Sequence, residues 1–258
     1  MISLKSSREI EKMRAVGKLA AETLDYLGKK VVPGLTTEQI NEWCHEYTIS
    51  KGAIPAPLNY HGFPKSVCTS LNEVVCHGIP SEKVKIKDGD ILNIDVTSIL
   101  DGWHGDTNRT FFVGNVDPKI KKLVKDTYDC MMLGIEEVKP GARLGNVGAA
   151  IQAYAENLGY SVVRDYCGHG IGRQFHEEPQ VLHYGTRDTG VELKEGMIFT
   201  IEPMINLGTY ECKVLKDEWT VITADKKWSA QFEHTVLVTK NGYEILTPWP
   251  QIDDFYLS

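Results

Sequence analysis

A chain of 258 residues with 42% hydrophobic and 24% charged residues has the composition of an ordinary soluble protein, and no stretch approaches the roughly 18 apolar residues of a membrane span. A net charge of −7, with neither a basic stripe nor an aromatic-plus-basic motif, argues against binding along a phosphate backbone. The six cysteines, at positions 44, 68, 76, 130, 167 and 212, show no paired or finger-like spacing, and Met1-Ile2-Ser3-Leu4-Lys5 opens without an apolar signal run, so free thiols in the cytoplasm are expected.

The first helix is predicted from the capping sequence Ser6-Ser7-Arg8-Glu9 and carries Ile10, Met13, Val16, Ala20, Leu24 and Leu27 at helical spacing, to about Lys30. Pro33-Gly34 turns the chain sharply, and a second helix follows near Thr37 to Lys51. Gly89-Asp90-Ile91-Leu92-Asn93-Ile94-Asp95-Val96 reads as a strand, Asp101-Gly102 as a turn signal and Asp106 to Val113 as the returning strand. A loop from Ile99 to Gly102 would set Asp95 directly across the ladder from Asp106, with like charges roughly 5 Å apart, which is destabilising unless something positive lies between them. A third helix, Asp117 to Glu137, carries the densest basic run, Lys119 to Lys125, as its wet face. Pro140-Gly141 ends it, and a fourth helix is expected near Leu144 to Leu158. Further β-like runs hold His169, Glu202 (Met197 to Pro203) and Glu233 (Phe232 to Val238).

The chain also repeats itself. Shifted by 107 residues, Val31-Val32-Pro33-Gly34 falls on Val138-Lys139-Pro140-Gly141, and Gly89, Ile91, Ile94 and Asp95 fall on Gly196, Ile198, Ile201 and Glu202. His61-Gly62 falls near His169-Gly170 with one residue of slippage. One offset across two helices, a turn and a strand points to duplication. With no Pro/Gly/Ser-rich linker between the halves, about 1–114 and 115–258, residues 1–258 read as one domain. Its expected build is a curved, mainly antiparallel sheet with helices on one face and the acids on the other, at the junction.

Asp95, Asp106, His169, Glu202 and Glu233 interrupt stretches that otherwise read as core, and buried acids demand compensation. Four carboxylates and one imidazole are too acidic for a single ion and fit two adjacent divalent ions, which would activate water and polarise a carbonyl for hydrolysis. The chain has no Gly-x-Ser-x-Gly, phosphate-binding loop or His-Glu-x-x-His. His77 and His176 lie in loop contexts bounded by glycine or proline, from which they could hydrogen-bond a scissile amide and its tetrahedral intermediate.

The runs Asn59 to Ser70, Asn72-Glu73-Val74-Val75-Cys76-His77-Gly78-Ile79-Pro80, Gly105-Asp106-Thr107, Gly168-His169-Gly170-Ile171-Gly172, Thr200-Ile201-Glu202-Pro203 and Ser229 to Thr235 closely resemble the type I methionine aminopeptidases of bacteria, in peptidase family M24. The resemblance implies an α+β fold with pseudo-twofold "pita-bread" (creatinase/aminopeptidase) architecture and removal of the initiator methionine from nascent polypeptides whose second residue is small. It implies Asp95 as a bidentate ligand of one metal, Asp106 and Glu233 as bridges, and His169 with Glu202 on the second metal, Glu202 also moving a proton. It places His77 and His176 on the substrate amide and carbonyl, and Tyr60, Phe63, Cys68, Phe175 and Trp219 around the methionine side chain. Asn72, Val74 and Ser229 correspond to a site for a monovalent cation, Na or K. The divalent ions could be Co, Mn, Fe or Zn. A monomer with transient ribosome contact is the expected state.

Pro57 stands where many relatives have cysteine, and Phe63 replaces a common tyrosine, so the pocket is expected to differ in shape while the ligand set is intact. The short bacterial form, with neither a zinc-finger extension nor the long type II insertion, is expected. Two other readings share the fold: an Xaa-Pro aminopeptidase or dipeptidase, and a non-enzymatic binding module.

Overall fold

The computed structural model describes residues 2–249; Met1 and residues 250–258, the last part of the expected domain, lie outside it. Helix α1 spans Ser7–Gly28 and starts at the expected cap, where the Ser6 amide and hydroxyl both donate to Glu9 at 2.8 and 2.7 Å. Its stripe of Met13, Val16, Ala20, Leu24 and Leu27 is fully buried. It ends two residues before the expected Lys30. Helix α2, Thr37–Ser50, is capped by Thr36 with Gln39. Helix α3, Pro118–Glu136, has Asp117 at its N-cap and proline in its first turn, and its Lys122 and Lys125 pair with Asp126 and Asp129 one turn on, as a solvated basic face should. Helix α4 covers Gly145–Asn157.

The 107-residue repeat is visible bond by bond. Gly34 N–H donates to the Ile86 carbonyl at 2.8 Å, and Gly141 N–H to Leu193 at 2.9 Å. Ile86 N–H returns to Leu35 at 2.8 Å, as Leu193 N–H does to Ala142. The isolated bridge Thr36 to Lys85 has its counterpart in Arg143 to Glu192. Gly34 and Gly141 have φ of +97° and +83°, a left-handed conformation that explains a glycine at both turns.

Every strand pairing described is antiparallel, but the expected single sheet is divided into four. In the first half the long strand Ile91–Leu100 lies between Trp103–Phe112 and Cys68–Leu71. In the second half Ile198–Ile201 lies between His234–Val238 and Gly168–Gly170. The halves join where Glu233 N–H donates to the Asn108 carbonyl at 3.0 Å, an isolated bridge between the two systems. Two small sheets border this junction, one of them built from Met204–Asn206, Ser229–Gln231 and Ser161–Val162. Helix α1 covers the first long hairpin, and α3 lies against Ser229–Gln231 and Ile198–Ile201. A single hydrophobic cluster takes in Leu24 and Ile94 from the first half and Ile151 and Phe199 from the second.

Two expectations are corrected. The hairpin closes through the two residues Asp101 and Gly102, with φ of +51° and +77°, the twist-matched geometry of a tight hairpin turn, so Thr97 opposes Asp106 and Asp95 opposes Asn108. The register differs by two residues, an even number, so Asp95 and Asp106 keep the same face and become diagonal neighbours. The match of His61 with His169 does not hold either: Tyr60–Gly62 is a 3-10 turn, and Cys68–Leu71 is the strand that lies beside the first-half long strand as Gly168–Gly170 lies beside its second-half equivalent.

The first hairpin meets α1 at Gly105. A Cβ there would lie 2.7 Å from the Val16 carbonyl carbon and oxygen and 2.8 Å from Gly17 N, all backbone. Gly105→Ala is expected to destabilise the protein by about 1–3 kcal/mol, read as a lower urea midpoint with unchanged slope. An unchanged midpoint would mean that the helix can lift off the strand at no cost.

Candidate active site

The strands and their ends bring all five expected ligands to one cavity of about 300 Å³. Asp95 and Asp106 come from the long hairpin, and His169 from the short strand Gly168–Gly170. Glu202 sits one residue beyond the end of Ile198–Ile201, and Glu233 immediately before His234–Val238, so these two leave the ladder rather than lie within it. Donor atoms of Asp106, His169 and Glu233 lie within 4.8 Å of one another. The His169 Nε2 atom stands 3.5 Å from Asp106 Oδ2 and 3.7 Å from Glu202 Oε1.

Four of the five side chains are held from outside the cluster. Thr97 Oγ1 donates to Asp106 Oδ1 at 2.7 Å, Thr200 Oγ1 to Glu202 Oε1 at 2.7 Å and Asn108 Nδ2 to Glu233 Oε2 at 2.8 Å. His169 Nδ1 donates to the Gly170 carbonyl at 3.0 Å, which leaves Nε2 as the ring nitrogen facing the carboxylates. On the other side of the cluster, Asp95 Oδ1 and Glu233 Oε1 are buried with no hydrogen-bond partner.

The electrostatics follow. Burial, then the charges of Asp106 and Glu202, raise the Asp95 carboxyl well above its usual range. Burial and the same two neighbours do so for Glu233. Burial, opposed by His169 and aided by Asp106, raises Glu202 to about 7. Burial alone would lower His169, but its contact with Asp106 and the charge of Glu202 override that and raise it. His77 is lowered by burial, and His176 falls to about 4 through burial and the nearby charge of His169. Both are neutral imidazoles near pH 7.

The expected substrate-binding residues His77, His176, Tyr60, Phe63, Cys68, Phe175 and Trp219 line the same cavity. The Phe63 and Trp219 rings meet edge-on at 5.2 Å, and Tyr60 and Phe175 lie 4.8 Å apart. Burial and Asp95 raise the Cys68 thiol, so it stays protonated and acts as wall. His77 touches Trp219 edge-on at 6.2 Å and Tyr166 at 5.5 Å. Pro57 is also on the wall. Asn72, Val74 and Ser229 lie elsewhere; Ser229 N–H donates to the Asn72 carbonyl at 2.9 Å, and Ser229 Oγ is buried without a partner.

Five neighbours of the site escape a reading of the sequence. Tyr166, Cys167 and Met204 also line the wall. Gln231 donates through Nε2 to the Glu202 carbonyl at 3.2 Å and to Oε2 at 3.3 Å. Outside the wall, the fully buried His183 accepts the Glu202 N–H on Nε2 at 3.0 Å. Gln231 stands two residues before Glu233, and that alternation was the one signal available.

Comparison with known proteins agrees with this geometry. The model of metallopeptidase family M24 matches residues 11–240. The methionine aminopeptidase of Rickettsia prowazekii (strain Madrid E) is 59% identical over 255 residues, which is 98% of each chain. A crystal structure of methionine aminopeptidase from Rickettsia prowazekii superposes with a TM-score of 0.95 at 60% identity, covering 96% of this chain and 100% of that one. One from Thermotoga maritima gives 0.94 at 42% identity, over 96% and 99%. A buried cluster of acids with one histidine, in a chain that follows these relatives over nearly its whole length, makes this protein a member of metallopeptidase family M24 and, within it, of the methionine aminopeptidases.

Proposed function

We propose that this protein removes the initiator methionine from nascent polypeptides whose second residue is small, using two divalent ions held by Asp95, Asp106, His169, Glu202 and Glu233. One observation carries this reading: the cavity brings together unpaired oxygens on Asp95 and Glu233, no lysine or arginine among its lining residues, and the side chains of Tyr60, Phe63, Cys68, Phe175 and Trp219. Without a cation this arrangement is costly, so the residues fit the metal. Oxygen-rich ligation with one imidazole suits Mn, Fe, Co or Zn. Bound there, divalent ions supply acidification of water and polarisation of a carbonyl.

The protein's own groups do the rest. Glu202 carries a proton between the attacking water and the leaving amine, anchored by Thr200 and Gln231 as it does so. His77 and His176, neutral and at the cavity wall, hydrogen-bond the scissile amide and its carbonyl oxygen. Tyr60, Phe63, Cys68, Phe175 and Trp219 take up an unbranched thioether side chain, and each buried methylene contributes about 0.8 kcal/mol. Phe63 offers no hydroxyl there, so selection rests on shape and burial.

The same reading takes residues 1–258 as one catalytic domain, supported by the hydrophobic cluster shared between the halves. Six free cysteines support a reducing compartment, the cytoplasm, where nascent chains and the ribosome are met by a monomeric enzyme. No described helix is long and apolar enough to cross a membrane. A monovalent cation, Na or K, is assigned to Asn72, Val74 and Ser229, on the strength of the buried, unpartnered Ser229 hydroxyl.

The test is a product analysis with Met-Ala-Ser and an Xaa-Pro tripeptide, with and without added Co or Mn. Free methionine from the first peptide alone, and only with metal, is the expected result. Cleavage before proline would move the protein to the dipeptidase reading, and no release from either would leave a binding module.

A further inference from the structure

Tyr60 is one of the five residues placed around the methionine side chain, but its hydroxyl points elsewhere. It lies 2.7 Å from Nδ1 of His176, a residue 116 positions away in the other half of the chain. We propose that Tyr60 is a positioning residue, which donates its O–H to His176 Nδ1 and so turns the opposite ring nitrogen, as N–H, toward the substrate carbonyl oxygen. This rests on the reading of His176 given above and adds how that histidine is held.

The direction of the hydrogen bond follows from the chemistry of the two groups. Burial raises the Tyr60 phenol, so it is protonated and a donor. A neutral imidazole has one N–H and one lone pair, and the Nδ1 of His176 is the atom that faces the hydroxyl. A phenol is a strong donor and a poor acceptor, and an imidazole nitrogen is a strong acceptor, so O–H to N is favoured over the reverse. That choice puts the imidazole hydrogen on Nε2.

The local backbone supplies an independent argument. Asn59 and His61, on either side of Tyr60, have φ of +66° and +47°, a region that non-glycine residues enter only at a cost. The turn is pinned by Asn59 N–H to the Phe63 carbonyl at 2.8 Å, by Phe63 N–H to Tyr60 at 2.9 Å and by Tyr60 N–H to Pro57 at 3.0 Å. These bonds fix the place of Tyr60, and with it the place of its hydroxyl beside His176 Nδ1. The imidazole is also clamped from its other sides, stacked on Phe175 at 4.3 Å and met edge-on by His169 at 4.2 Å. With those contacts in place, the remaining freedom is a half-turn about the Cβ–Cγ bond, which would put Cδ2 where Nδ1 lies and Cε1 where Nε2 lies. The Tyr60 hydroxyl is the described group that opposes it.

Tyr60→Phe removes the oxygen and keeps the ring. It is expected to lower kcat on Met-Ala-Ser about tenfold with KM within about twofold, and to have almost no effect when His176 is already alanine. In the metal-free protein, imidazole proton–nitrogen correlation spectra should show His176 solely as the Nε2–H tautomer, and the Tyr60→Phe protein should show exchange between two ring states. A raised KM at unchanged kcat would make Tyr60 only a wall. An equal loss with and without His176, or an Nδ1–H tautomer in the unaltered protein, would also overturn the proposal. Methionine release by the unaltered protein is scored separately, so a failure of the peptidase reading is not confused with a failure of this one.

Discussion

Replacing Glu202 with glutamine lowers kcat roughly 10²–10⁴-fold while the fold stays intact, the expected loss for a general acid–base group. The amide has the size of the acid, and three anchors remain available: Thr200 Oγ1 at 2.7 Å, Gln231 Nε2 on the carbonyl at 3.2 Å, and His183 Nε2 on the backbone N–H at 3.0 Å. What disappears is the capacity to take up and release a proton. In the metal-free protein that group titrates at about 7, raised first by burial and then by Asp106, so a proton on it is exchangeable near neutrality. Bound cations would lower that value, which suits the base role better than the acid role. The same substitution removes one charge from a cluster of like charges, so the metal-free Glu202→Gln protein should melt at or above the temperature of the unaltered one. Metal titration keeps the two consequences apart, because weakened binding is overcome at saturating metal and a lost proton carrier is not. Full activity at saturation would reduce Glu202 to a ligand.

Much of this site could be read from residues alone because its logic is local. Period-two alternation places Asp95 and Asp106 on one face whether their strands pair directly or two residues out of register, and so an error in the turn left the conclusion standing. Gly34 and Gly141 advertise the same turn twice, and the duplication they mark brings Asp95 and Glu202 to equivalent places. The histidine pair 61 and 169 shows the limit of that symmetry: a one-residue slip in a loop was enough to align a turn with a strand. His183, Gln231 and the Tyr60 hydroxyl were invisible for a different reason. Each acts through one contact across the fold, to Glu202 or to His176, and no periodicity or spacing records which distant residue a side chain will meet. The division into four sheets was hidden as well, since it depends on where irregular connections interrupt pairing.

Stripping the metal should make the protein less stable as pH rises, and metal should restore it most at the alkaline end. Asp95, Glu202 and Glu233 all have carboxyls raised above their usual values, chiefly by burial and then by one another, and His169 is raised too. Over the interval between unfolded and folded pKa values the metal-free folded state therefore holds more protons than the unfolded chain. Stability then falls with increasing pH, beginning near the unfolded carboxylate value of about 4 and continuing through about 7, where Glu202 titrates. Cations bound there would reverse the requirement, because they would favour the deprotonated groups and face the unpaired oxygens of Asp95 and Glu233. At a free metal concentration a thousandfold above Kd the stabilisation is about 4 kcal/mol, or roughly 10 °C in Tm for a chain of this size. Melting curves at pH 5, 6.5 and 8, with chelator or with Mn or Co, should show a gap that widens with pH. A gap that is constant, or largest at pH 5, would mean that the acids are not protonated in the metal-free fold and that something other than the metal relieves their proximity.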